Sequence, residues 1–532
     1  MDECIKGKWT YMLRIREVKI GINNNTDEHI LSKVSKLLNT NVLSYKIIKK
    51  SIDARDKNNI LFVYTLDVEV DNQDKVELTN KITITPDETY KITNVGNELL
   101  DHRPIVIGAG PSGLFCAYIL AENGYKPIVF ERGKDVDNRI KDVNEFIETN
   151  KLNINSNIQF GEGGAGTFSD GKLNTLISDK NCRMNKVFDI FVENGAPEEI
   201  KYDYHPHIGT DILRVVIKNI RNKIISMGGE FHFESTLTDI IIDNHKIKGI
   251  IINDADKYDT DALFLCIGHS ARDTFKMLNK NNIYMEPKAF AVGVRVIHEQ
   301  RIIDAILHHN NELLGPASYK VTHNTQNGRG VYSFCMCPGG YVINSSSEEN
   351  KLVVNGMSNY RRDSGYANSA IVVTVDHNDY GDDLFDGMKF QEELERKTYE
   401  LGNGAIPVQY YKDFVANKVS DNIETKGIMG KYVGSNLNEI LPLFISDSIK
   451  EGMTAYSNRI RGFNDGKTIL CGTETRTSSP IRIVRDSLDG SANIAGIYPC
   501  GEGAGYAGGI TSAAVDGIKQ AENLIKIYKN VK

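Results

Sequence analysis

The sequence predicts an α/β protein of several units: a Rossmann-type domain, a mixed α/β domain inserted into it, and a ferredoxin-like α+β domain at the N-terminus. Three observations carry this. A buried-strand run from Pro104 to Ile107 meets a glycine turn and then a stretch with apolar residues at helical spacing to Asn123, the order that a βαβ unit requires. The closing segment "IYPCGEGAGYAGGITSAAVDGI" reads again as strand, glycine turn and helix. The first hundred residues alternate differently, as β-α-β-β.

At 532 residues the chain exceeds one ordinary domain. The expected division is 1–97 for the ferredoxin-like domain, 98–275 and 465–532 for the two parts of the Rossmann-type domain, and 276–464 for the insertion. In the first unit "TYMLRIREVKIGI" alternates like a strand and "DEHILSKVSKLLNT" has helical spacing behind an Asp cap. "VLSYKIIKKSIDA" and "NILFVYTLDVEV" read as two further strands. The simplest role for this unit is structural or docking. Farther on, "KIKGIIINDADKYDTDALFLCIGHS" reads as a hairpin followed by a buried strand that ends at Gly268.

Composition narrows the class. With 40% hydrophobic and 25% charged residues the chain is a folded protein, and its net charge of -7 argues against nucleic acid as a partner. No apolar run is long enough to span a bilayer and the first residues lack a signal-peptide core, which predicts a cytoplasmic protein. Its eight cysteines are scattered and show no metal-ligand spacing, so reduced thiols and no metal are expected.

Gly108, Gly110 and Gly113 form G-x-G-x-x-G at the one place where the pattern has mechanical sense, between a buried strand and a helix. The first glycine permits the turn, the second lets a pyrophosphate approach the backbone, and the third lets helix and strand pack closely. Pro111 and Ser112 open the helix, whose N-terminus offers unpaired N–H groups to phosphate. Glu131, eighteen residues after Gly113, is placed to accept hydrogen bonds from ribose hydroxyls. A dinucleotide is therefore expected, either FAD or NAD. Arg132 and Arg139 are candidates for the adenine and pyrophosphate, against the alternative of solvated arginines.

The two distant segments resemble elements of the glutathione-reductase-like flavoproteins. "ALFLCIGHSA" is similar to their returning strand and glycine turn at Gly268. "IYPCGEGAGYAGGITSAAVDGI" is similar to their late strand with Gly-Asp, here Gly501-Glu502, followed by a helix aimed at the flavin pyrimidine from Gly509, Ile510 and Thr511. These likenesses cover roughly residues 103–275 and 465–532. The whole chain, through its small N-terminal domain, "GEGGAGTFSDGKL" and "FCMCPGG", resembles the NAD(FAD)-utilizing family of uncharacterised FAD-dependent dehydrogenases. The resemblance implies a Rossmann-type FAD-binding domain, FAD as cofactor, and NAD(P)H as a candidate transient reductant.

A second formal G-x-G-x-x-G, at Gly161, Gly163 and Gly166, has neither the strand before it nor the helix after it. It reads as a loop along the ribityl chain, where Gly163, Gly164 and Gly166 give close backbone approach and Ser169, Asp170 and Lys172 offer side chains near the flavin edge. Lys172 is a candidate to polarise N5 or the C4 carbonyl, or else a solvated surface lysine. Cys335 and Cys337, two apart in a strand, share one face: a redox dithiol, a nucleophile, half of a metal site, or passive core. Arg476 is a candidate for an anionic substrate or the flavin carbonyls, against an arginine–acid surface cluster. No second nucleotide motif in strand–turn–helix context and no CxxxxC pair accompanies the first, which lowers a disulfide-reductase reading.

The expected function is an FAD-dependent oxidoreductase transferring hydride through flavin N5 to or from a small organic substrate. The alternatives are a flavin monooxygenase, and an FAD-bound RNA-interacting or assembly protein with structural flavin. The sequence leaves substrate and oligomeric state open.

Overall fold

The computed structural model describes residues 11–56 and 58–530. Cys4 lies outside them. Six sheets organise the described residues, and the first belongs to the N-terminal unit. Its strands, ordered Val42–Asp53, Leu61–Val70, Leu13–Gly21 and Ile82–Ile84, are antiparallel. The helix Asp27–Leu38 packs Ile30, Val34 and Leu38 onto Leu13, Ile15, Leu66 and Val68. Thr26, rather than the acid after it, caps this helix by accepting from the His29 N–H at 3.3 Å. The second helix of a full ferredoxin-like order is absent here, its place between the third and fourth strands taken by a single 3-10 turn, Gln73–Lys75.

The Rossmann-type sheet is parallel throughout, in the order Ile497–Pro499, Leu263–Leu265, Ile105–Ile107, Ile128–Phe130, Glu230–His232. Its strands are short and apolar because both faces are covered, as parallel sheets require. The helices Pro111–Glu122 and Ile510–Ile525 cross on one face at backbone contact. A Cβ on Gly517 would lie 2.2 Å from the Ser112 carbonyl oxygen, so only glycine allows this approach. The expected hairpin, Lys246–Ile252 with Asp256–Asp259, gains a third strand, Leu237–Asp243.

The second large sheet has seven strands, with Gly330–Cys337, Tyr366–Val375, Phe290–Glu299 and Ile469–Glu474 at its centre. Ile469–Glu474, assigned by sequence to the returning Rossmann segment, pairs instead with Phe290–Glu299, and Ile481–Ile483 pairs with Met285–Pro287. The chain therefore leaves this region after Glu474, not at 464. Every residue of Phe290–His298 is buried, which makes its one arginine, Arg295, conspicuous. Among the described residues no helix is long and apolar enough to cross a membrane, no disulfide forms, and no His, Cys, Asp and Glu group could hold a metal.

Gly517→Ala should force the two crossing helices apart. The expected loss is ~1–3 kcal/mol of stability, read as a lower urea midpoint with an unchanged slope.

Candidate active site

The strand Ile105–Ile107 ends in a turn at Gly108, whose φ of +97° and a Cβ position 2.3 Å from the Cys266 carbonyl oxygen exclude any other residue. The turn delivers the N-terminus of Pro111–Glu122, which has no side-chain cap, onto a cavity of about 380 Å³. The N-terminus of Ile510–Ile525, also without a side-chain cap, meets the same cavity through Gly509 and Ile510. Two sets of unpaired backbone N–H groups and two positive dipole ends thus converge, an arrangement that calls for an anionic ligand. Around Gly508 and Gly509 an added Cβ would meet nothing within 4 Å, leaving room beside the second helix. His269 also lines this cavity, and its Nε2 is buried with no hydrogen-bond partner. These features fit a dinucleotide held between the two helix ends, phosphates on the first and flavin on the second.

Of the residues singled out by sequence, Gly108, Gly110, Pro111, Ser112, Glu131, Arg132, Gly164, Gly166, Ser169, Lys172, Gly268, Cys335, Arg476, Glu502, Gly509 and Ile510 line this cavity. Gly113, Arg139, Gly163, Cys337, Gly501 and Thr511 stand behind its wall. Gly113 closes the helix onto the turn, with its Cβ position 1.9 Å from the Gly108 oxygen. Gly163 and Gly501 make similar close contacts with Thr167 and Ser112. Thr511 donates its hydroxyl to the Leu173 carbonyl at 2.7 Å, fixing Lys172 beside the second helix end.

Arg139 corrects the sequence reading most clearly. It is fully buried and donates to the carbonyl oxygens of Asn157, Ile158, Gly161, Glu162 and Gly164 at 2.7–3.2 Å. A fork of five N–H donors matches that ring of carbonyls, so Arg139 shapes the glycine loop rather than reaching a nucleotide. Glu131 plays a related part: its carboxylate accepts from the N–H groups of Ala109, Gly133 and Gly161 at 2.7–2.9 Å. Three of its roughly four acceptor positions are used, leaving capacity for one ribose hydroxyl. Arg132 pairs with Asp273 at 2.7 Å and stacks over Phe160. Ser169 turns its hydroxyl back to the Gly166 carbonyl.

Arg476 is also committed. Its five N–H donors go to Glu395 (2.9 and 2.7 Å), Glu348 (3.2 Å), Ser270 (3.0 Å) and Ser347 (2.6 Å). Arg272 brackets the same Glu395 at 2.9 Å on both oxygens. The cluster is buried, not a surface one, and no donor of Arg476 is left for a substrate. Burial works against a charged Glu395, yet Arg272 and Arg476 hold its carboxyl well below the usual range. Burial and the same two cations push His269 down to about 3, so this imidazole is neutral. Glu502, with an oxygen 3.6 Å from His269 Nδ1, is raised to about 7 by burial and by the nearby Cys335.

The two cysteines do not sit in the regular strand that their spacing suggests. An extra residue between Phe334 and Cys337 breaks the pairing with Tyr366–Val375, and Cys335 sits in the left-handed region at φ +45°. This bulge turns Cys335 into the cavity and leaves Cys337 fully buried behind it. Arg295 fastens the bulge, donating to the Cys335 carbonyl at 3.1 and 3.2 Å and to Glu474 at 2.9 Å. Cys337, with Arg295 and Lys172 nearby, lowers the half-buried Cys335 thiol below its ordinary range. Cys337 moves the opposite way, well up, because it keeps the shared proton. Asp170 is buried, but Arg362, which donates at 2.5 and 3.1 Å, and Lys172 keep it ionised.

Sequence reasoning missed His269, Arg272, Glu395 and Arg295. Arg295 had a signal, a lone charge inside a ten-residue buried strand. Glu395 had none, being one acid among several in "FQEELERK".

The fold and this site define an FAD-dependent protein. Residues 289–477 match the model of the "FAD-dependent protein, C-terminal domain-like" family, and residues 106–150 match an NAD(P)-binding Rossmann-like domain. Residues 12–69 match a domain of unknown function. The chain belongs to the same family as a Clostridium beijerinckii protein titled "Uncharacterized protein", 44% identical over 97% of this chain and 99% of that one. Among solved structures it is similar to glycerol-3-phosphate dehydrogenase from Bacillus halodurans complexed with FAD, at 11% identity and a TM-score of 0.34, covering 80% of this chain and 64%, under two thirds, of that one. It is also similar to L-proline dehydrogenase from P. horikoshii, at 12% identity and a TM-score of 0.35, covering 81% and 93%. At these scores the likeness is distant.

Two outcomes follow from this geometry. Alkylation of Cys335 by iodoacetamide should rise with pH through a midpoint below the ordinary thiol range, because only the thiolate reacts; Cys337→Ala removes the neighbour that favours the thiolate and should move the midpoint upward. Glu395→Ala leaves two buried guanidiniums uncompensated and should cost ~3–5 kcal/mol, read as a large drop in melting temperature.

Proposed function

We propose that the protein transfers hydride between its flavin and a small organic substrate that approaches through a second, outer cavity. The observation that supports this is the junction of the two cavities. The outer one, about 1410 Å³, shares Lys172, Asn174, Phe334, Cys335 and Gly508 with the inner one. Its wall is completed by the N-terminal unit through Arg16, Ile48, Lys49 and Thr65. That gives the small unit a part in the site rather than a docking role alone.

Bound FAD supplies hydride transfer at N5, and the protein supplies position and electrostatics. The end of Ile510–Ile525 lowers the cost of negative charge on the pyrimidine side. Lys172, fixed by the Thr511–Leu173 hydrogen bond, presents an ammonium at the junction, where it stabilises charge on a substrate carbonyl or on the flavin edge. Among the described lining residues of the outer cavity, Asp203 is the one acid, while Arg16, Lys49, Lys172 and Lys320 supply cations and Tyr202, Tyr319 and Phe334 supply rings. This lining suits an anionic substrate with a flat apolar part. The order of the Rossmann-type strands and the two cavity-facing helix ends support membership in the glutathione-reductase-like superfamily.

The test is anaerobic mixing of the yellow protein with NADH and NADPH in parallel, then with a panel of organic acids and their reduced forms. Bleaching of the flavin by one donor and its return with one acceptor is the expected result. A folded preparation without FAD, or a flavin that no hydride donor bleaches, overturns the reading. Lys172→Met should keep its FAD and slow flavin reduction roughly 100-fold, the scale of losing one electrostatic stabiliser.

A further inference from the structure

We propose that Cys335 and Cys337 are a redox dithiol that exchanges an electron pair with the flavin at the junction of the two cavities. The inference rests on the flavin reading of the inner cavity. In a regular strand, same-face neighbours at i and i+2 stand roughly 6.6–6.8 Å apart, too far for a disulfide, whose Cβ atoms prefer about 3.8 Å. The bulge removes that obstacle. One extra residue before Cys337 and the left-handed Cys335 fold the strand locally, so that the Cys337 thiol donates back to the Cys335 carbonyl oxygen at 3.4 Å. The two thiols act on each other's ionisation, Cys335 downward and Cys337 upward.

This contact is built rather than incidental. A left-handed backbone at a non-glycine residue persists where its surroundings impose it, and such strain gathers at working sites. Arg295 imposes it here, with two hydrogen bonds to the Cys335 carbonyl and others to Glu474 and Asn368. The buried Cys337 fits against Gly356, where a Cβ would fall 2.8 Å from its sulfur. The charged and titratable groups that face Cys335 are Lys172 and Arg295, which favour a thiolate, and Asp170, Glu474 and Glu502, which oppose it; Cys337 adds to the favourable side. Cys266 and Cys500 form another such pair, but burial holds both protonated, so contact alone does not make a reactive thiol.

Cys335 also has the required access. It lines the inner cavity, as Gly509 and Ile510 do, and the outer cavity as well. The exchange balances without another reagent. The Cys335 thiolate and the Cys337 thiol lose two electrons and one proton as the Sγ–Sγ bond forms. Oxidised flavin takes up those two electrons and that proton. The reverse step reopens the disulfide, and a thiol or disulfide substrate in the outer cavity would reach the pair through Cys335.

The experiment uses the full-length FAD-loaded protein, oxidised with diamide, desalted and titrated anaerobically with dithionite. Wild type should take up about four electrons per FAD, two for the flavin and two for the disulfide couple, whereas Cys335→Ser and Cys337→Ser should each take up about two. In parallel, the wild-type peptide spanning both residues should lose about two mass units on oxidation and escape iodoacetamide until reduced. That reading does not depend on whether a variant folds. Uptake of about two electrons by wild type, two alkylatable thiols after diamide, or a disulfide that never enters the flavin titration would each overturn the proposal. Failure of the flavin reading appears separately, as a folded protein without bound FAD.

Discussion

Two buried arginines on one buried glutamate hold the halves of this molecule at a fixed separation. Glu395 comes from the helix Asp386–Gly402 of the inserted region, Arg272 from the helix that follows the Gly268 turn, and Arg476 from the segment after Ile469–Glu474. A buried carboxylate is tolerated only where its charge and lone pairs are matched. Here both oxygens are bracketed twice, and Thr475 adds a further donor at 2.7 Å. The three segments therefore cannot separate without exposing an unpaired charge, and the wall they form along the cavity is stiff.

On that frame the cavity divides its chemistry by position. At one end the Gly108 turn and Glu131 organise backbone N–H groups, and Arg139 holds the glycine loop through carbonyl oxygens alone. Lys172, Cys335, Glu502 and His269 line the same cavity, and the charge states of Cys335, Glu502 and His269 depend on their neighbours. A Glu502 carboxyl raised to about 7 makes its surroundings less negative than a fully ionised carboxylate would, and His269 beside it adds no positive charge. The N-terminal unit contributes little to either end, yet it forms one wall of the outer cavity, so its sheet shapes what can arrive at the flavin.

The sequence determined the βαβ unit, the returning strand near 263–265 and the closing helix from 510, because their signals are local: an apolar run, glycines at fixed spacing, and helical periodicity over one element. It also separated the true nucleotide turn at Gly108 from the second glycine motif at Gly161, which lacks the flanking strand and helix. FAD followed from the likeness of two distant segments to known flavoproteins. Only the tertiary structure decided the roles of the charged residues. Arg139 and Arg476 look in sequence like free cations, but each is saturated by groups far along the chain, and Glu395 has no local feature to distinguish it from its neighbours. The spacing of Cys335 and Cys337 predicts a regular strand; the bulge that replaces it is fastened by Arg295, on another strand, which donates to the Cys335 carbonyl. Secondary structure is read from neighbours in sequence, whereas a buried charge takes its role from whichever partner the fold brings within hydrogen-bond reach.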